Sequence, residues 1–203
     1  MFAGLNDIID ENQEKRSGMN ACGTQLIETE RLILRPFTYE DAGSMMTNWA
    51  GDDYVQKMYG EPSYKTLEAV NKLLSKYIGS YDKKYYFRWA VIEKASGECI
   101  GQTAYFLVDT SGHFGEIEYC IGTAFQGKGY ATEATKAVIG YGFEKIGFHK
   151  VQICVRPSNA PSKKVIEKCG FTYEGTLRDY FYIDGKYEGR MFFSILEDEY
   201  VRA

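Results

Sequence analysis

The sequence predicts one domain of the α/β (α+β) class, a mixed and mostly antiparallel sheet flanked by helices, on three observations. The spacing of apolar residues changes along the chain from a helical stripe to strict alternation and back. Three consecutive aromatic and β-branched runs are separated by short polar turns, which suits a meander. At 203 residues, with 44% hydrophobic and 26% charged, the chain can bury one sizeable core and has little room for two.

Residues 1–24 mix polarities around Gly4, Gly18 and Gly23 without a clear period, so they are expected to form an extension, and the domain is expected over 25–203. Glu30–Arg35 reads as a strand closed by Pro36, and Thr38-x-x-Asp41 resembles the N-terminal cap of a helix running toward Asn48. A second helix is expected from Thr66, with Leu67, Val70, Leu73, Leu74 and Ile78 on one stripe. Tyr85–Glu93, Cys99–Val108 and Gly115–Ile121 then alternate as strands, divided by Ala95-Ser96-Gly97-Glu98 and Asp109-Thr110-Ser111-Gly112. A helix over Tyr130–Ile146, a strand over Val151–Val155 and a short helix over Ser162–Lys168, ended by Gly170, follow. Asp184-Gly185 joins Tyr180–Ile183 to Lys186–Leu196, the strongest hairpin signal in the chain.

Composition narrows the function. No apolar run approaches the roughly 18 residues of a membrane helix, and Met1–Met19 carries Asp7, Asp10, Glu11 and Glu14 where a signal peptide would be basic and then apolar. A cytoplasmic protein that does not bind membranes is expected. The five cysteines form no C-x-x-C pair and are joined by only two histidines, so neither a metal centre nor a disulfide framework is expected. Cys120 and Cys154 read as buried thiols rather than nucleophiles. A net charge of −4 speaks against general nucleic-acid binding.

The stretch from Glu116 to Ala134 carries the chemistry. A strand runs through Cys120, Ile121 and Gly122 into Gln126-Gly127-Lys128-Gly129, and a helix opens with Tyr130-Ala131-Thr132. Unpaired amides and the positive end of the helix dipole suit such a junction to phosphate. Without a ligand, the same glycines would make an ordinary turn; neither G-x-G-x-x-G nor a Walker G-K-[ST] is present. On the strand, Glu116, Glu118 and Cys120 alternate onto one face and Ile117, Tyr119 and Ile121 onto the other. If the Tyr130 helix covers the apolar face, both carboxylates point to the opposite side, as a base for an amine or as a solvated surface.

Gln126-x-x-Gly129-x-Ala131 resembles the acyl-CoA pyrophosphate signature, [RQ]-x-x-G-x-[GA], of the GCN5-related N-acetyltransferase (GNAT) family. Asn159-x-x-Ser162 with Glu167-Lys168-Cys169-Gly170-Phe171 resembles that family's second motif. Thr29–Arg35 and Tyr182–Lys186 are similar to the branch of ribosomal-protein acetyltransferases RimJ and RimL. The resemblance implies about seven strands with a V between the fourth and fifth, here Gly115–Ile121 and Val151–Val155. It implies acetyl-CoA as co-substrate in that V, held by Cys120, Ile121, Gly122, Gln126, Gly127, Lys128, Gly129, Tyr130, Ala131, Thr132, Asn159 and Ser162. A strand bulge near Cys120–Gly122 would free an amide for the thioester oxygen. Glu116 matches the position of the general base in several members, and Ser162 that of a serine proposed as the acid in RimL-like enzymes; a helix-start cap on Val165 is the other reading of Ser162. Ile166 stands where many members carry a tyrosine acid, and Phe181 and Gly189 replace carboxylates of RimL-like proteins. Glu118 and Tyr180 are the expected acceptor contacts. The acceptor would be an amine, either a peptide N-terminus or a small molecule; a homodimer is left open. A catalytically silent acyl-CoA-binding regulatory domain is the rival expectation.

Overall fold

The computed structural model describes residues 18–200. Most of the expected extension, residues 1–17, lies outside them. Among the described residues the eight strands are β1 (Ile27–Glu28), β2 (Leu32–Arg35), β3 (Phe87–Glu93), β4 (Cys99–Asp109), β5 (Phe114–Ile121), β6 (Lys150–Val155), β7 (Thr172–Ile183) and β8 (Lys186–Leu196). They form one sheet in the order β1-β2-β3-β4-β5-β6-β8-β7, with β5–β6 as the parallel pair and antiparallel neighbours elsewhere. The eighth strand is β1, too short to show a period.

Helices cover both faces. On one lie α1 (Ala42–Met45, continued by a wider turn over Met46–Ala50), α2 (Asp53–Tyr59) and α3 (Leu67–Ile78). The other carries α4 (Tyr130–Tyr141) and α5 (Ala160–Lys168). Alternation along β3 feeds both layers: Phe87, Trp89 and Val91 join the α4 core, and Ala90 and Ile92 the α1–α3 core. None of the helices among the described residues is long and apolar enough to cross a membrane.

Several boundaries differ from the sequence expectation for local reasons. The helix α2 was not expected; Asp52 caps it by accepting from the Tyr54 and Val55 amides, and Gly60 ends it at φ +91°. The expected helix over Tyr130–Ile146 widens into a π turn from Gly142, where a Cβ would stand 2.2 Å from the Tyr105 hydroxyl. The helix α5 starts two residues before Ser162, because Asn159 caps it. Most of β7 was missed: it is an exposed edge strand with two register breaks and positive φ at Gly175 and Asp179, so no alternation marks it. Asp184 and Gly185 take φ of +51° and +77°, the pair of left-handed residues that a tight hairpin turn requires.

Met19 to Thr24, assigned to the extension by sequence, pack on the domain. Met19 is buried in the α4 core, and Thr24 Oγ1 donates to Tyr86 O and accepts from Arg88 N.

Candidate active site

The V opens where β5 and β6 part. They pair from Phe114 with Lys150 to Ile117 with Ile153 and no further, so Glu118–Ile121 has a neighbour on its β4 side only. No bulge occurs at Cys120–Gly122: the register break lies on β4, between Tyr105 and Leu107. The Gly122 amide donates to Ile100 O. By alternation the amides of Tyr119 and Ile121 then face the gap. Strand separation thus frees the donors that a bulge was expected to free.

A cavity of about 290 Å³ occupies this gap. Of the residues expected to hold acetyl-CoA, Cys120, Ile121, Gln126, Gly127, Gly129–Thr132, Asn159 and Ser162 border it, while Gly122 and Lys128 do not. Gly122 packs under α1's continuation, where a Cβ would lie 2.5 Å from Asn48 O. Gly127 and Gly129 have φ of +75° and +88°, and Gly129 opens α4 with no side-chain cap, so the first-turn amides are left for a ligand. Gln126 Nε2 donates to Ile121 O at 2.8 Å and folds the loop back on the strand. The remaining wall is α2, through Tyr54, Val55, Met58 and Tyr59. Arg156 Nη2, at the end of β6, holds this wall by donating to Lys57 O at 2.8 Å.

Arg31 fastens the loop, a role the sequence did not reveal. Its Nη1 donates to Lys128 O at 2.9 Å and its Nε to Glu133 Oε2 at 2.7 Å, while Thr29 Oγ1 reaches Glu133 Oε1. Burial alone would raise the Glu133 pKa, but the hydrogen bonds from Thr29 and Arg31 outweigh it and leave it lowered.

Ser162 does not cap Val165. Asn159 Oδ1 accepts from the Ser162 amide, and Ser162 Oγ lies 2.9 Å from the Tyr119 hydroxyl. Burial holds the Tyr119 phenol above its ordinary range, although the Ser162 hydrogen bond lowers it. Tyr119 therefore stays protonated and can only donate or accept. Burial likewise pushes the Cys120 thiol up to about 12, which disfavours a thiolate nucleophile.

Glu116 and Glu118 lie on the α1–α3 face as alternation requires, but in different company. Glu116 is 2% exposed and borders neither this cavity nor the second one described below; Arg190 Nη2 donates to its Oε1 and Gln152 Nε2 to its Oε2. Arg190 Nη1 also donates to the Tyr180 hydroxyl at 2.8 Å, which links Tyr180 to Glu116. Glu118 accepts from Arg88 Nη2 at 2.6 Å and borders a second cavity, beside Tyr64, Tyr77 and Gln102. Tyr59 belongs to the walls of both cavities.

Residues 31–172 match the acetyltransferase (GNAT) domain. The chain belongs to the GNAT acetyltransferase family. It is 30% identical over 176 residues to the uncharacterized N-acetyltransferase p20 of Bacillus licheniformis, covering 87% of this chain and 98% of that one. A GNAT-family acetyltransferase structure from Bacillus anthracis superposes with a TM-score of 0.76 at 26% identity, over 86% of this chain and all of the other. The spermidine N(1)-acetyltransferase of Escherichia coli K12 is 25% identical over 83% of this chain and 87% of its own. This GNAT chain is an N-acetyltransferase, with the family's mixed sheet and helices on both faces.

Proposed function

We propose that the protein works in the cytoplasm and moves the acetyl group of acetyl-CoA directly to a primary amine, without a covalent enzyme intermediate. The observation that carries the reading is that two cavities of about 290 Å³ each border the unpaired end of β5 and share Tyr59. Acetyl-CoA would enter the first: its pyrophosphate would rest on the open amides after Gln126, a cradle that side chains at Gly127 and Gly129 would fill. The acceptor would enter by the second. Its lone pair attacks the thioester carbon, the C–N bond forms, the C–S bond breaks and CoA leaves as thiolate.

The attacking amine must be neutral, and an alkylammonium with a pKa near about 10 is mostly charged at pH 7. A carboxylate beside it, direct or through water, takes the proton. Glu118 is better placed for that work than Glu116, because it borders the acceptor cavity while both oxygens of Glu116 are already engaged. The amide of Ile121 would donate to the carbonyl oxygen as charge develops. Ser162 and Tyr119 would donate to the departing thiolate. With a pKa near about 8.5 for a thiol, that group needs a hydrogen bond rather than a strong acid. The RimJ/RimL-like motifs favour a peptide N-terminus and the E. coli relative a small amine.

The test is thiol release from acetyl-CoA across peptides with different first residues and a set of small amines. Turnover with at least one amine is expected. Tight CoA binding without turnover on any of them would establish the silent acyl-CoA-binding domain instead.

A further inference from the structure

The second cavity has a chemistry of its own. Trp49, Tyr59, Tyr64 and Tyr77 give it aromatic walls, with Met45 and Leu73 beside them. Ring faces of this kind attract a cation. One is already in place: the Arg88 guanidinium lies 4.3 Å from the centre of the Tyr77 ring. It is fixed there, because Nη1 donates to Gln102 Oε1 at 3.0 Å and Nη2 to Glu118 Oε1 at 2.6 Å. The Arg88 side chain is 11% exposed, so it is built into the cavity wall rather than free to swing away.

The charge balance follows. Among the described residues the cavity is bordered by two carboxylates: Glu118, which Arg88 neutralises, and Glu61, which is exposed at the rim. A second ammonium on the acceptor would meet no unpaired carboxylate at depth to receive it, because the Glu118 charge is already taken by Arg88. A flat uncharged group loses nothing by entering and gains ring contacts.

On the acetyltransferase reading above, we infer that this cavity takes the body of the acceptor and selects a monoamine bearing an aromatic or flat apolar group over a polyamine. The group belongs either to a free amine or to the first residue of a peptide.

Steady-state thiol release with phenethylamine, a peptide beginning with phenylalanine, and spermidine tests it. The kcat/KM for the better aromatic acceptor is expected to exceed that for spermidine at least tenfold, and the first two substrates separate the free from the peptide source. Arg88→Gln keeps a hydrogen-bond donor for Glu118 but removes the charge, and should narrow that ratio about tenfold. Fluorescence titration of the CoA-loaded wild-type protein, reading the combined emission of Trp49 in the cavity wall and Trp89 in the α4 core, needs no variant: phenethylamine should give a saturable change that spermidine at equal concentration does not. Equal kcat/KM values or a preference for spermidine would overturn the inference while leaving the acetyltransferase reading intact. Absence of turnover on every amine would instead remove that reading, and saturable spermidine binding without phenethylamine binding would then overturn the inference by itself.

Discussion

Glu116 and Glu118 are two residues apart on one face of β5, and their neighbours give them different work. Glu116 receives Arg190 and Gln152 in a site closed to solvent, so its charge serves to hold β5, β6 and β8 together. Removing one partner of a buried pair strands the other, which costs roughly 3–5 kcal/mol. Glu118 has an open cavity beside it. Glu118→Gln is therefore expected to lower kcat/KM at pH 7 by about 10²–10⁴-fold, with activity recovering as pH rises and the amine deprotonates unaided. Glu116→Gln is expected to lower the melting temperature and leave that pH dependence unchanged. Paired pH–rate profiles and thermal melts distinguish the two, and a pH-rescued rate defect in Glu116→Gln would reverse the assignment. Alternation placed both carboxylates on the correct face, yet it could not separate them. The separating groups, Arg88 and Arg190, lie 30 and 74 residues away in sequence.

At the scale of elements, the loop between β5 and α4 needs glycine for its backbone conformation and, on the proposed reading, for room for an anion. A matched pair of substitutions separates them. Gly127 at φ +75° and Gly185 at φ +77° carry the same strain for an L-residue, about 1–2 kcal/mol, and neither has an atom within 4 Å of a built Cβ. Gly127→Ala and Gly185→Ala should thus lose similar stability, but the first should weaken CoA binding at least tenfold and the second leave it unchanged. Calorimetric titration with CoA reads the difference, and equal CoA affinity in the two variants would show that the loop is only a turn. The string from Gln126 to Ala131 made the strand–loop–helix junction legible, because it is contiguous in sequence. Its fastening was not legible: Arg31 is 97 residues before Lys128 and 102 before Glu133.

For the molecule as a whole, stability has a defined acid limit. Glu133 and Glu174 have pKa values lowered from the ordinary 4.5, Glu133 as described above and Glu174 through hydrogen bonds from Lys150 and Ser194. A carboxylate lowered on folding stabilises the native state fully above its unfolded pKa, and that contribution disappears as pH falls through the folded value. The melting temperature should be nearly level from pH 7 to about 5 and fall below about 4.5. Glu133→Gln should make the fall shallower; an unchanged slope would show that the Arg31 clamp is not part of it. The sequence alone determined most of the strands and helices, the mixed sheet and the family, since these rest on periodicity and contiguous motifs. Only the tertiary structure decided that β5 and β6 part after Ile117, that Arg31 holds the loop, that Glu116 is closed off and that Arg88 is built into the wall of the second cavity. Each of those depends on side chains or strands brought together from distant parts of the chain, and local periodicity carries no information about such meetings.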